Sequence, residues 1–376
     1  MHNAKISNNA KVVIILPTYN EVDSIEPLIT ALQTIFEQEK RYVFSILVVD
    51  DNSPDGTAKK VHSLKRKFHN ITLLAGEKKG LGAAYVRGMH YAIDHMQAAI
   101  LFEMDADLSH PPKLIPQFLR KIEEGADLVI GSRYIQGGSI PADWAWNRKL
   151  YSIVGNLIIR FGLMIPRIHE WSSGFRAIRS SVFISVSAGL EQYAGYTFQA
   201  AFLHRVMQHG FTVAEVPLNF IDRKYGTSKF IAYEYIPGVL RYVLYNSSFI
   251  RFCIVGFTGF LINTIGLEAF YRMGLSPGIA ASIGAEFAIT SNFFFNNFWT
   301  FSYKRIRQKK SLMKKFFHFN TVAIGAVVIQ GLVVGIGTSF FGDETRLIFL
   351  VLAVIVFIVP YSYFMYNRFI WKQSEG

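Results

Sequence analysis

Two acids separated by one residue, Asp105-Ala106-Asp107, follow a short apolar run at residues 98–102. On an extended strand end, residues i and i+2 point to one side. Two carboxylates placed that way can share a hard cation such as Mg2+ or Mn2+, which favours carboxylate, water and phosphate oxygens. Alone, an Asp-x-Asp pattern is common in turns and caps; its position behind a strand gives it weight. A second acidic pair, Asp50-Asp51, closes another apolar run. These side chains suit hydrogen bonds to a base and ribose, while the same stretch also reads as a plain polar turn. The basic candidates come later in the chain. Arg133 follows an apolar run at 129–131, and Arg148 precedes an amphipathic stretch at 150–165. Ser172-Ser173-Gly174-Phe175-Arg176 forms a tight polar turn. Arg223-Lys-Tyr-Gly-Thr-Ser228-Lys229 precedes a second amphipathic stretch at 230–245. Arginine and serine side chains with backbone N–H groups suit phosphate oxygens, and amphipathic helices suit a membrane surface. A phosphate site touching a bilayer points to a lipid phosphate. Attraction to anionic lipid without specific contacts is the plainer alternative for these cations.

The elements that must hold these residues alternate. Residues 11–16 read as a buried strand, 24–36 as a helix, and 42–49 as a second strand that ends in the acidic pair. A helix follows, with Asp55 or Thr57 as its cap. A third strand at 71–74, a helix opened by Lys79-Gly80-Leu81-Gly82 and running to about residue 95, and a fourth strand at 98–102 complete the pattern. Such alternation implies a parallel sheet with its ligands at the carboxyl ends of the strands.

The motifs taken together resemble a known family. Pro17-Thr-Tyr19-Asn-Glu21, Asp50-Asp51-Asn-Ser-Pro-Asp-Gly-Thr57, Lys79-Gly-Leu-Gly82, Met-Asp105-Ala-Asp107-Leu-Ser-His-Pro-Pro112 and Gly131-Ser-Arg133-Tyr are similar to the GT-A glycosyltransferases of family 2, above all the polyprenyl-phosphate enzymes such as the dolichyl-phosphate mannose synthases. The resemblance covers residues 11 to about 229. It implies a donor such as GDP-mannose, with Pro17, Tyr19, Glu21, Asp50, Asp51, Lys79, Asp105 and Ala106 around it. It places a Mg2+ or Mn2+ cofactor on Asp105 and Asp107, with Ser109 as third ligand. The family usually carries Gln there, and a serine hydroxyl is a shorter and weaker ligand. For the acceptor, a polyprenyl phosphate, the resemblance implies Arg133, Arg148, Ser173, Arg223, Ser228 and Lys229, with Asp105, Asp107, Arg133 and Arg223 carrying the catalysis. Glu170-Trp-Ser-Ser-Gly departs from the family's Asp-Pro-x-Ser-Gly, so a longer acid stands at this turn.

The last third has a different character. Four apolar stretches, at 249–271, 277–301, 316–341 and 347–369, have about the 20 residues a membrane-spanning helix needs. Arg251-Phe-Cys-Ile-Val-Gly256 and Asn292-Phe-Phe-Phe-Asn-Asn-Phe-Trp-Thr-Phe301 resemble the GtrA-like membrane domain. The loop after the second stretch holds Lys304, Arg305, Arg307, Lys309, Lys310, Lys314 and Lys315 and no acid, which marks it as cytoplasmic. Four spans then leave both termini and the catalytic part on that side. The polar start and the short run at 12–16 do not read as a secretory leader. Glu286 lies inside the second stretch, where an acid is either functional or buried and hydrogen-bonded.

The expected architecture is therefore an α/β, Rossmann-like GT-A domain with a mostly parallel sheet over 1–229, an interfacial helix or linker over 230–248, and a four-span GtrA-like membrane domain over 249–376. Net charge is +12 with 18% charged residues, below the roughly 25% of a typical soluble protein. One cysteine excludes a disulfide framework and a multi-cysteine zinc site. The basic excess lies largely beside the apolar stretches, which argues for membrane lipids and against nucleic acid as partner. Transfer of glucose or an amino-sugar to undecaprenyl phosphate shares nearly every motif. A processive synthase would add Gln-x-x-Arg-Trp, which does not occur. A lipid-linked sugar flippase, with the first part as nucleotide sensor, is the non-enzymatic alternative.

Overall fold

The computed structural model describes residues 9–222 and 232–371. The chain divides into two compact units, Met1–Tyr245 and Asn246–Gly376.

In the first unit the strands are β1 (Ala10–Thr18), β2 (Tyr42–Asp50), β3 (Ile71–Ala75), β4 (Ile100–Glu103), β5 (Leu128–Ser132), β6 (Arg176–Arg179) and β7 (Val213–Pro217). They form one sheet in the order β3-β2-β1-β4-β6-β5-β7. All pairs are parallel except those of β6, which runs against β4 and β5. The carboxyl ends of β1, β2, β4 and β5 therefore share one edge with the amino end of β6. The expected turns at 17–21, 50–57 and 105–112 are delivered to that edge, as is Ser172–Gly174 just before β6.

The helices between them are α1 (Ile25–Gln38), α2 (Thr57–Lys67), α3 (Leu81–Asp94), α4 (Ile115–Glu123), α5 (Trp146–Gly162), α6 (Ser180–Val186), α7 (Gly195–Gln208) and α8 (Ala232–Asn246). Side chains alternate across the sheet, as strand geometry requires. On β1, Val13 and Ile15 join the core beneath α3 and α7, while Val12, Ile14 and Leu16 join the core beneath α1 and α4. α3 lies tight on the sheet because a Cβ at Gly88 would meet Ile15 and Val49 at 2.8 Å.

The two expected amphipathic stretches are α5 and α8. α8 buries Val239, Tyr242 and Val243 in the first core and leaves Ile236, Leu240 and Leu244 exposed. α5 exposes Trp146, Leu150, Tyr151, Leu157 and Phe161. They cross closely at Gly162, where a Cβ would clash with Val243.

In the second unit, α9 (Ser248–Arg272), α10 (Pro277–Phe295), α11 (Lys309–Phe341) and α12 (Arg346–Leu352) lead into a helical run to Ile370 with wide turns at Ala353–Ile358 and Tyr366–Ile370. Among the described residues three helices are long and apolar enough to cross a membrane: Ser248–Arg272, Lys309–Phe341 and Ala353–Ile370. The second expected span, 277–301, is built as α10 plus a wide turn at Asn296–Thr300 and is not one of the three. Glu286, Asn292, Asn296 and Asn297 interrupt its apolar character. α9 and α10 meet through small residues, the usual device for close helix approach in lipid. A Cβ at Gly266 would lie 3.0 Å from the Gly284 Cα, and Asn292 fills the space over Gly259. An aromatic cluster closes the unit, with Phe301 stacked on Trp371 at 4.6 Å and Phe319 on Tyr366 at 4.2 Å.

Candidate active site

A cavity of about 840 Å3 opens along the carboxyl edge of the sheet. Pro17, Tyr19, Glu21 and Asp51 line one end, Asp105, Ala106, Asp107 and Ser109 the middle, and Arg133, Arg148 and Ser173 the other side.

The first end is built by interlocked turns. Asp50, the last residue of β2, is 1% exposed. It accepts hydrogen bonds from Thr18 Oγ1 at 2.8 Å, Ser53 N at 3.0 Å and Ser53 Oγ at 2.6 Å. It braces the turn and does not line the cavity, unlike the expectation that it faces the donor. Its neighbour Asp51 does line it and pairs with Arg87 at 2.7 Å. Asp55 joins the two loops by accepting from Val22 N and from Thr57 N and Oγ1. The α2 cap position itself is Gly56, at φ +94°. The expected Lys79 is largely exposed, sits 3.3 Å from Glu77 and lies off the cavity. Lys78 takes its place, with Nζ 3.5 Å over the ring of Tyr19.

The aspartate pair stands on a turn after β4 rather than on an extended strand end. Leu108 enters the left-handed region at φ +66° to make the turn. Asp105 N donates to His110 Nδ1 at 3.0 Å, so the ring carries its proton on Nε2, which lies 3.9 Å from Asp105 Oδ2. His110 is buried and stacks on Phe175. Tyr85, buried on α3, donates its hydroxyl to Asp105 Oδ1 at 3.1 Å. Burial, then the charges of Asp105 and Glu103, keep the Tyr85 phenol well above its ordinary pKa, so it remains a donor. Asp107 Oδ1 accepts from Ser109 N at 3.0 Å. The Asp105 side chain is 36% exposed and open to a ligand. Ser109 Oγ is buried and has no hydrogen-bond partner among the described residues.

The donor set is thus two carboxylates and an unpaired hydroxyl, all hard oxygens, which suits Mg2+ or Mn2+. No cluster of three His, Cys, Asp or Glu with metal-holding geometry occurs among the described residues. Water and phosphate oxygens would complete the shell.

At the other side, Arg133 is clamped by Glu170. Its Nε and Nη2 reach the two carboxylate oxygens at 2.8 and 3.0 Å, and Nη2 also donates to Ser172 Oγ at 2.7 Å. Burial opposes both charges. The Glu170 carboxylate outweighs it and raises the Arg133 pKa, while Arg133 in turn holds Glu170 below the usual carboxylate range. Arg148 makes a two-pronged pair with Asp222 at 2.9 and 3.0 Å and lies 3.8 Å over Trp144, whose Nε1 also donates to Asp222. Ser173 is buried and accepts from Phe175 N. Arg223, Ser228 and Lys229 lie outside the described residues.

Beneath the turn is a fully buried pair, Glu103 and Arg176, 3.9 Å apart. Burial pushes the Glu103 carboxyl up to about 7, with Arg176 and Gln199 pulling the other way.

Sequence reasoning passed over Lys78, Tyr85, His110 and Asp222 as site residues. His110 lies inside the quoted Asp-x-Asp motif, and Lys78 and Asp222 stand next to residues that were chosen. Tyr85 carries no local signal, since its partner is distant in the chain.

The fold and this edge are those of a glycosyltransferase. Residues 13–186 match glycosyl transferase family 2, and residues 251–371 match the GtrA/DPMS transmembrane domain. The chain is 33% identical over 330 residues to a dolichol-phosphate mannosyltransferase from Pyrococcus furiosus, covering 86% of this chain and 89% of the relative. It is 35% identical over 230 residues to a polyprenol monophosphomannose synthase from Mycolicibacterium smegmatis, covering 60% and 83%. The crystal structure of mannosyl-3-phosphoglycerate synthase from Rubrobacter xylanophilus superposes with a TM-score of 0.45 at 18% identity, over 62% of this chain and 73% of that one. The chain belongs to glycosyl transferase family 2, with a membrane domain of the GtrA/DPMS type. It is a membrane-bound glycosyltransferase.

Proposed function

We propose that this enzyme transfers mannose from GDP-mannose to a polyprenyl phosphate of the dolichyl type. The observation that carries the reading is the continuity of this cavity. It joins the Asp105–Asp107 turn to Arg133 and Arg148 and continues between apolar residues of α5 and α8, among them Val154, Ile158, Val239 and Leu240. A nucleotide diphosphate fits the first part, an acceptor phosphate the second, and a hydrocarbon chain the third. The names of the two curated relatives support mannose as the sugar and a polyprenol as the acceptor.

Asp105, Asp107 and Ser109 would hold a divalent cation, which when bound neutralises the charge of the leaving diphosphate. The protein's own residues do the rest. Tyr85 and the Ser109 N–H fix the two carboxylates. Lys78, Tyr19 and Asp51 line the nucleotide end. A phosphate monoester has its second pKa near 6, so the acceptor is already largely an oxyanion at neutral pH. One of its oxygens attacks the anomeric carbon in line. The new carbon–oxygen bond forms as the bond to the diphosphate breaks, GDP leaves with the electron pair, and the anomeric configuration inverts. No strong general base is needed. Arg133 and Arg148 orient the acceptor and offset the repulsion between two anions. Arg223, Ser228 and Lys229 belong to the same acceptor group by family resemblance. The basic residues at 304–315, which run into the start of α11, support a cytoplasmic position for that segment, and with α10 as a fourth crossing both termini lie on the same side.

The test is radiolabel transfer from a panel of nucleotide-sugars, with Mg2+ or Mn2+, to dolichyl and undecaprenyl phosphate. Chloroform-soluble label from GDP-mannose alone is the expected result. Label from a glucose or amino-sugar donor instead would replace the sugar assignment, and no lipid-bound label from any donor would overturn the reading.

A further inference from the structure

Gln199 is a polar residue in an apolar run of α7, flanked by Phe198, Ala200, Ala201, Phe202 and Leu203. It is 2% exposed, and it lines the cavity. Its backbone oxygen accepts from Arg176 Nη1 at 3.0 Å, which fixes where the residue sits. Among the described residues neither Oε1 nor Nε2 of its side chain has a hydrogen-bond partner. The amide pulls on the buried Glu103 carboxyl without a bond of normal geometry. His204, the next buried polar residue on the helix, is satisfied by contrast through Tyr242. A buried amide without a well-formed hydrogen bond costs stability, and such a cost persists where a ligand relieves it.

The position says which ligand. A Cβ built on Gly174 would lie 3.5 Å from Asp105 Oδ1 and 3.5 Å from Gln199 Nε2. The amide therefore faces the same space as the aspartate proposed to hold the cation beside the donor diphosphate, next to the turn that carries Ser173. The group that must occupy the gap between a donor diphosphate and an acceptor phosphate is the sugar in transfer. Phosphate oxygens only accept, so they would leave Oε1 unpaired. A hydroxyl both donates and accepts and satisfies both amide atoms.

We propose that Gln199 hydrogen-bonds the hydroxyl groups of the transferred hexose and is a specificity-determining residue of the reaction. The inference rests on the sugar-transfer reading above. The experiment compares wild-type protein with Gln199→Met, which keeps the volume and removes the amide, in three measurements on full-length protein: thermal midpoint, dissociation constants for GDP and for GDP-mannose, and sugar transfer. The expected result is an unchanged or raised midpoint and unchanged GDP affinity. The extra affinity for GDP-mannose over GDP is lost, and kcat/KM falls about tenfold or more. Transfer within about twofold of wild type would overturn the assignment. A lowered midpoint together with lost GDP binding would also overturn it, because the amide would then be a structural partner of Glu103. Failure of the wild-type protein to bind or transfer any hexose would instead defeat the reading on which the inference rests.

Discussion

The two sides of the cavity hold their charges in opposite ways. At the proposed donor side, the hydrogen bonds to Asp105 and Asp107 include a phenol and a backbone N–H, groups that fix a carboxylate without cancelling its charge. At the proposed acceptor side, Arg133 and Arg148 are held by full carboxylates, Glu170 and Asp222. The acidic turn thus offers carboxylates braced by neutral groups, while the arginines are preset in geometry by carboxylates of opposite charge. An incoming phosphate must share them or displace a carboxylate. Glu170 is buried and shares, whereas Asp222 is half-exposed and can give way.

The largest effect should come from breaking the acidic turn. Asp105→Ala, or removal of divalent ions with a chelator, should lower label transfer by about 10^4-fold, about 5.5 kcal/mol in barrier height. Retained transfer in either case would dissolve the contrast. Next in size is the buried clamp. Glu170→Ala leaves the Arg133 charge buried and alone, and should cost about 3 to 5 kcal/mol in denaturant unfolding of the purified protein. The pH dependence follows from the depressed Glu170 pKa. The unfolded state protonates this group near its ordinary value of 4.5, and the folded state does so at lower pH. Its contribution is present above that value and fades as pH falls through the folded pKa. The stability gap between wild type and Glu170→Gln should therefore narrow in acid and stay constant above pH 4.5; a gap that widened in acid would refute the pairing.

The half-exposed pair should behave differently. Asp222→Asn should change stability by no more than about 1 kcal/mol. Arg148→Ala should raise the acceptor KM while leaving the donor KM alone. An equal rise in both would mean that Arg148 is not on the acceptor side. The smallest effect separates two neighbours. Lys78→Ala should weaken donor binding by a few-fold, in keeping with an exposed cation–π contact of about 0.5–1 kcal/mol. Lys79→Ala should leave it unchanged, and a titration calorimeter reads both.

Much of the site was legible because its parts are local. The Asp105-Ala-Asp107 turn, the Asp50-Asp51 strand end and the Ser172–Gly174 turn each announce themselves within a few residues. The parallel order of β1 to β4 follows from apolar runs alternating with helical ones. The antiparallel insertion of β6 had no such signal, because a four-residue strand has too little pattern to show its direction. Nor did the roles of neighbours. Asp50 and Asp51 are chemically alike, as are Lys78 and Lys79, and only the backbone decides which member of a pair faces the cavity. At the second pair that backbone turns through Gly80 at φ +95°.

The amino-acid sequence by itself determined the chemistry available and its division into a catalytic and a membrane part. Residue type sets charge, and runs of apolar side chains set what water will tolerate. The tertiary structure alone decided which charges cancel. Glu170 meets Arg133 across 37 residues and Asp222 meets Arg148 across 74. Tyr85 reaches Asp105 across 20. Electrostatic energy depends on distance through space and on burial, and neither can be read along a chain until the sheet has brought its strand ends to one edge.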